Sequence, residues 1–262
     1  MASKDASLAV LIDGDNVSPR VIVGLMAEIA NYGTASVKRI YGDWTSPSLK
    51  GWKECLLNHS ITPIQQFAYT TGKNATDGAM IIDAMDLLYT GRFSSFCIVS
   101  SDSDFTRLAS RIREQGVTVF GFGERKTNNA FIAACDKFTY FDVLNLPPEE
   151  TTLADRPFGF VDSHPVVNTI PRLGKRPLDQ SAVEGLSRAV NSCRSDIDNW
   201  VHLADVGVYL SKISPDLNAR NYGYERLRDF VEASGIVDIK KRDMGDHPPV
   251  VLVRLREHRD RA

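Results

Sequence analysis

The sequence predicts an α/β fold for its first half, a parallel sheet flanked by helices, followed by a small winged-helix-like α+β domain. Short apolar runs alternate with longer amphipathic runs between Leu8 and Asp142, which is typical of repeated strand-helix-strand units. Further along the chain, three amphipathic runs precede two strand candidates, which indicates helices followed by a hairpin. A chain of 262 residues with 43% hydrophobic residues can bury a core in each domain.

The strands of the predicted parallel sheet are the short apolar runs of the first half. Each is separated from the next by an amphipathic run that can form the crossover helix between parallel strands. We predict strands over residues 8–12, 35–41, 62–67, 96–100, 118–122 and 137–141.

Helix start and stop signals fall in the intervals between these strands. Ser18 followed by Pro19 predicts a cap and the first helical position, while Thr76 precedes the amphipathic run 77–89. Ser103 precedes a second amphipathic run that closes with Gly116, a residue typical of helix ends.

Composition divides the chain into two domains, a linker and a short tail. The linker carries six prolines and little periodicity, which indicates a semi-rigid connection. The predicted limits are 1–145 for the first domain, 146–179 for the linker, 180–256 for the second domain and 257–262 for the charged tail. Within the second domain we predict helices over 180–195, 203–213 and 224–234, and strands over 236–240 and 250–255.

Charge and cysteine content exclude several classes of protein. The 31 Lys+Arg and 33 Asp+Glu residues nearly balance, so no overall basic charge indicates a nucleic-acid partner, and any such surface must be local. The four cysteines lie far apart without a CxxC pair, which argues against structural zinc and a disulfide framework. The first residues match neither a signal peptide nor a membrane span. We therefore expect a cytoplasmic protein with no membrane partner.

The strongest functional signal is a set of four aspartates, Asp13, Asp77, Asp102 and Asp104. Asp13 follows the first predicted strand, Asp102 and Asp104 follow the fourth, and Asp77 stands at a helix start. Because parallel strands present their carboxyl ends at one edge of the sheet, the four carboxylates should meet there. Such crowding favours a hard cation, and we predict Mg²⁺ or Mn²⁺, which can activate water and orient a phosphodiester.

A simpler interpretation applies to each acid alone. Aspartate is a common helix cap, so Asp77 and Asp104 could serve only to begin helices. Asn16 and Lys73 fit as partners of a substrate or of the carboxylates, although a lysine in such a loop is often only solvated. Asp83 lies about 120° around the helix from Asp77, which makes it a secondary candidate.

Three ordered motifs give the first domain a resemblance to a known family. They are LIDGDN at 11–16, KNATDGAMIID at 73–83 and SSDSDF at 100–105, followed by GVTVFGFG. Together they resemble the NYN domain of the LabA-like group, a branch of the PIN-like nucleases. The resemblance implies a PIN-like sheet and a site for RNA cleavage in which the four aspartates bind divalent metal. It also matches Asn16 to the family's asparagine and Asp83 to its second helix acid. Ser101 stands where the family often has glycine, and its side chain slightly narrows the approach to the site.

The second domain resembles an OST-HTH (LOTUS) domain, mainly through YGYERLRDFVE. This resemblance implies RNA binding or docking of a protein partner. Two groups of side chains could contact RNA there. The basic residues Lys240, Lys241 and Arg242 could bind phosphates, or they could simply form a solvated edge. The tyrosines Tyr222 and Tyr224 could stack on bases, or they could pack in the core of the domain.

Three functions are compatible with these observations. The leading hypothesis is a metal-dependent ribonuclease, an endonuclease by preference, whose second domain recruits RNA or a partner. A non-catalytic RNA-binding adaptor is the alternative. LIDGDNV also fits the Asp-x-Asp-x-Val pattern of haloacid-dehalogenase-type phosphatases, with Asp13 as nucleophile and Asp15 as acid/base, but SSDSDF does not continue that pattern. The sequence assigns no oligomeric state.

Overall fold

The computed structural model describes residues 7–67, 75–144, 175–193, 199–244 and 247–256. Lys73, nearly all of the proposed linker and the charged tail lie outside the described residues.

The first domain is built on a parallel sheet, which confirms the predicted fold class. Its strands run in the order β3-β2-β1-β4-β5-β6, and each neighbouring pair is parallel. The strands are β1 (Ser7–Asp13), β2 (Thr34–Gly42), β3 (Thr62–Gln65), β4 (Ser95–Val99), β5 (Thr118–Gly123) and β6 (Lys137–Tyr140). Each predicted strand is present, with ends displaced by at most two residues.

Both faces of the sheet are covered by helices. Along β1, Ala9 and Leu11 pack into one core, while Leu8, Val10 and Ile12 pack into the core on the opposite face. This alternation follows from the two-residue period of a strand, and burial on both sides explains why the segment is continuously apolar. The helices are α1 (Ile22–Ala30), α2 (Lys53–His59), α3 (Ala75–Tyr89), α4 (Thr106–Glu114) and α5 (Asn129–Ala134).

The helix signals in the sequence are confirmed in part. Ser18 accepts a hydrogen bond from the backbone of Arg20 and precedes Pro19, and Gly116 has a positive φ of 73°. Two predicted caps are wrong. Thr76 lies inside α3. The cap of the turn that leads into α4 is Asp102 instead of Ser103, because the Asp102 carboxylate accepts a hydrogen bond from the backbone N–H of Asp104.

The second domain packs three helices against a small antiparallel sheet, as predicted for a winged-helix-like shape. The helices are α6 (Gln180–Ser192), α7 (Leu203–Ile213) and α8 (Leu227–Ala233), and the strands are β7 (Val201–His202), β8 (Val237–Met244) and β9 (His247–Leu255). The sequence did not predict β7. Helix α8 begins three residues later than predicted, because Arg226, the residue before it, has an extended backbone.

The tyrosines of the second domain belong to its core. Tyr224 is buried with its ring edge-on to Phe230, and Tyr222 packs beside the same ring. The core interpretation is therefore confirmed over base stacking. Among the described residues, no helix is long and apolar enough to cross a bilayer.

Candidate metal centre

The strand order places the end of β1 beside the end of β4. These two strands are neighbours, and from them the sheet continues in opposite directions to β2 and to β5. Such a reversal opens a crevice at the carboxyl ends of the strands, where open α/β sheets bind ligands. Asp13 is the last residue of β1, and Asp102 and Asp104 lie in the segment that follows Val99, the last residue of β4.

Asp13 is the most buried acid of this crevice, with no exposed surface. Its Oδ2 atom accepts hydrogen bonds from Asn16 Nδ2 at 2.8 Å and from Ser100 Oγ at 2.7 Å. Its Oδ1 atom is buried and has no hydrogen-bond partner. A buried carboxylate oxygen without a partner is costly unless a cation or a donor reaches it.

Ser100 connects the acids of the two strands, and sequence reasoning missed this role. Its hydroxyl donates to Asp13 and accepts from the backbone N–H of Asp102 at 3.0 Å. Ser100 is itself fully buried, so its bond to Asp13 is shielded from water, while the bond from the Asp102 N–H is partly buried. The available signal was a hydroxyl at the end of a buried strand immediately before two acids.

Asp77, Asp102 and Asp104 form a group in which one carboxylate oxygen from each lies within 4.8 Å of the others. Asp77 is buried on the first turn of α3, whereas Asp102 is half-buried and Asp104 is exposed. Asp102 uses Oδ1 to accept from the Asp104 N–H at 2.9 Å, so capping and clustering occur together. Three carboxylates at this spacing form an oxygen-rich site suited to a hard cation.

The electrostatics of the cluster oppose full ionisation. Burial raises the pKa of Asp77 to about 6, and the charges of Asp13, Asp102 and Asp104 add to that effect. Burial also raises the pKa of Asp13, while its hydrogen bonds from Asn16 and Ser100 act in the opposite direction. A divalent cation would compensate these charges, since an opposite charge favours the ionised carboxylate.

The residues present therefore fit a divalent cation. The donor set consists of carboxylate oxygens, which are the ligands that Mg²⁺ and Mn²⁺ prefer. The unpaired Oδ1 of Asp13 is a buried acceptor that a cation or a water bound to it would satisfy.

The other candidates of the first domain have separate surroundings. Asn16 is held by Asp13, and Ser101 Oγ accepts from the Glu124 N–H at 2.8 Å. Asp15 accepts from the Thr76 hydroxyl at 2.8 Å. Asp83 is bound by Arg39 and the Tyr41 hydroxyl, which gives it a structural partner on β2. A direct part in substrate binding by Asn16 and Ser101 stays a prediction.

The basic candidates of the second domain lie on β8, away from its core. Lys240 and Lys241 are exposed, and Arg242 is half-buried. Lys240 Nζ lies 5.9 Å from the centre of the Trp200 ring, and the guanidinium of Arg254 lies 4.9 Å from it. Their role in RNA binding stays a prediction.

Comparison with known proteins agrees with both resemblances. The family model described as NYN domain matches residues 7–145, and the model described as OST-HTH/LOTUS domain matches residues 182–249. A search of curated proteins found no match. Among solved structures, a protein of unknown function from Vibrio parahaemolyticus is similar at 19% identity and a TM-score of 0.44, over 53% of this chain and 96% of that chain.

Proposed function

Because the chain belongs to the NYN domain family through residues 7–145, we propose that it is a metal-dependent ribonuclease that hydrolyses RNA phosphodiesters with Mg²⁺ or Mn²⁺. NYN domains are usually nucleases, and OST-HTH domains bind RNA. The single observation that carries the proposal is the convergence of Asp77, Asp102 and Asp104 within 4.8 Å of one another. Asp13 is not a member of this group, but it lies close enough for its charge to raise the pKa of Asp77.

The residues of the cluster have distinct tasks in this proposal. Asp77, Asp102 and Asp104 would hold the cation, and Asp13 would complete the set through Oδ1. Asn16 and Ser100 fix the opposite oxygen of Asp13 and so orient its carboxylate. When bound, a divalent cation lowers the pKa of water and neutralises charge on the phosphodiester. Since the pKa of Asp77 is raised to about 6, its carboxyl holds a proton under mildly acidic conditions, and this proton would have to leave before the carboxylate could serve as a ligand.

The direct test is cleavage of labelled RNAs by the purified chain with Mg²⁺, with Mn²⁺ and with a chelator. We expect metal-dependent fragments that disappear in Asp102→Asn, while RNA binding persists. Asp86→Asn is the matched control, because Asp86 is an exposed acid on α3 outside the cluster. RNA binding without fragments under every metal condition would reject the nuclease and support an RNA-binding adaptor.

The geometry does not favour the phosphatase alternative. A covalent mechanism needs a nucleophilic carboxylate that an incoming phosphoryl group can approach. Asp13 has no exposed surface, and its Oδ2 is occupied by two hydrogen bonds. The proposed acid/base, Asp15, is instead bound to Thr76. Failure to release phosphate from small phosphate esters would agree with this assignment.

We further propose that the second domain supplies RNA contacts through Lys240, Lys241 and Arg242, or docks a protein partner. Removal of the whole domain is a poor test, since it would also uncover backbone groups of β6 that the domain now pairs. Point substitutions on β8 are therefore preferable.

A further inference from the structure

Strand β6 lies at the edge of the parallel sheet and pairs with β5 on one side. Its other side presents the backbone groups of Phe138 and Tyr140, alternate residues of the strand. An open edge of this kind costs hydrogen bonds and invites pairing with another chain, so natural proteins cover it.

The second domain covers this edge with the segment between α7 and α8. The Phe138 N–H donates to the carbonyl oxygen of Pro215 at 3.1 Å. The Phe138 carbonyl accepts from Asn221 Nδ2 at 2.9 Å and from Asn218 Nδ2 at 3.1 Å. The Tyr140 N–H donates to Asn221 Oδ1 at 3.1 Å.

Asn221 reproduces the hydrogen bonds of a neighbouring strand with its side chain. In a parallel ladder, one residue donates to the carbonyl of residue i and accepts from the N–H of residue i+2. The amide of Asn221 does this with Phe138 and Tyr140. The residue has no exposed surface, and the carbonyl of Asp216 and the side chain of Asn218 hold it in place.

Polar contacts on both sides of Asn221 tie the same segment to the first domain. Arg125 donates to the Asn221 carbonyl at 2.9 Å, and its guanidinium lies 3.9 Å from the centre of the Tyr140 ring. The Tyr140 hydroxyl donates to Asp216 at 2.8 Å. The neighbouring residue, Arg220, pairs at 3.0 Å with Glu28, a buried carboxylate of α1.

The first-domain loop after β5, which donates to the Asn221 carbonyl through Arg125, also contacts a neighbour of the acid cluster. It begins at Glu124, whose N–H donates to Ser101 Oγ beside Asp102, and its next residue is Arg125. One short segment therefore contacts both Ser101, the residue before Asp102, and the second domain.

We propose that Asn221 acts as a surrogate strand that docks the OST-HTH domain on the edge of the NYN sheet and makes the two domains one body. The second domain is then held at a fixed place relative to the four aspartates. This inference is independent of whether the chain cleaves RNA.

Hydrogen exchange of individual amides in the full chain tests the docking. In the wild type, the amides of Phe138 and Tyr140 should be protected to a similar degree as that of Asp136, which pairs with Val119 inside the first domain. Exchange of Phe138 and Tyr140 at the rate of an open edge would overturn the proposal without any substitution.

Asn221→Leu should then lower the protection of Tyr140 by about tenfold or more, the equivalent of one hydrogen bond. Asn221→Asp keeps an acceptor for Tyr140 but loses the donor to Phe138, so Tyr140 should stay better protected than in the leucine variant. Asn58→Leu, at an exposed asparagine of α2, is the control and should change neither amide. Unchanged Tyr140 protection in Asn221→Leu would reject the surrogate strand.

Discussion

Asp77 combines burial with four acidic neighbours, which are Asp13, Asp15, Asp102 and Asp104. Its folded-state pKa of about 6 lies above the ordinary value of 3.8. The neutral carboxyl therefore contributes stability that is present in full below pH 3.8 and is lost as the pH rises through about 6. Without a cation, the ionised cluster weakens the fold that it occupies.

Asp77→Asn should consequently stabilise the metal-free chain at about pH 7.5, by about 1–2 kcal/mol after allowance for solvent screening. Below about pH 4 the difference should vanish, because the wild-type carboxyl is then also neutral. Urea unfolding with a chelator across this pH range measures the effect, and Asp86→Asn is the control. Equal stability of Asp77→Asn and wild type at every pH would contradict the repulsion described for the cluster.

Ser100 gives a second prediction for a single side chain. Ser100→Ala removes the hydroxyl that joins Asp13 to the Asp102 backbone, so this side chain no longer fixes the position of one acid relative to the other. Support of this kind typically affects metal affinity by about 10–100-fold. Calorimetric titration with Mn²⁺ measures the loss directly. Ser110→Ala, which removes a half-buried hydroxyl of α4, should leave the affinity unchanged; a similar loss there would refute a specific role for Ser100.

At the scale of elements, the turn that leaves β1 depends on close contact with β2. The Gly14 N–H donates to the Tyr41 carbonyl at 2.8 Å. A Cβ atom at Gly14 would lie 2.8 Å from that same oxygen and 2.9 Å from Ile40 Cγ1. Both neighbours belong to β2, which is paired on both sides, so the turn itself would have to move, together with the Asp13 carboxylate that precedes it.

Gly14→Ala is therefore expected to destabilise the chain by about 1–3 kcal/mol and to weaken Mn²⁺ binding. Gly78→Ala is the matched control, since a Cβ atom on this α3 residue meets nothing within 4 Å. Alanine there should stabilise the helix by up to about 1 kcal/mol. Denaturant unfolding and Mn²⁺ titration of both variants decide the matter, and a Gly14→Ala chain with wild-type behaviour would count against the tight turn.

For the whole molecule, the interface between domains includes a buried charge. Glu28 is 3% exposed and accepts from the Tyr32 hydroxyl at 2.6 Å. Its cationic partners come from both domains: Lys137 of β6 at 3.8 Å and Arg220 of the second domain at 3.0 Å. Removing the Glu28 carboxylate would leave the positive charges of Lys137 and Arg220 without the negative charge that now compensates them.

Glu28→Gln should then lower the free energy of unfolding by about 1–3 kcal/mol, less than for a fully buried pair because both cations are partly exposed. Glu54→Gln, at an exposed glutamate of α2, should have little effect. Chemical denaturation of the full chain supplies the comparison. The interdomain pair would be shown to contribute nothing if both glutamine variants unfolded at the same denaturant concentration.

The basic edge of the second domain is also tested in the whole chain. Replacing Lys240 and Lys241 by alanine should weaken RNA binding at low salt. The slope of log affinity against log salt concentration should fall by about 0.7 for each phosphate that the variant no longer neutralises. Lys50→Ala, on the exposed surface of the first domain, is the control. Identical salt dependence in the double variant and the wild type would assign the RNA-binding role to another surface.

Local patterns in the sequence determined the strands, most helices and the four aspartates, because apolar periodicity and turn chemistry act over a few neighbouring residues. Only the tertiary structure decided that β1 lies beside β4, which brings Asp13 next to Asp102. It also decided the roles of Ser100 and Asn221, whose partners lie 87 and 83 residues away in the chain. Such pairings depend on strand order and domain docking. Both follow from the packing of whole elements, so patterns over a few neighbouring residues do not indicate them.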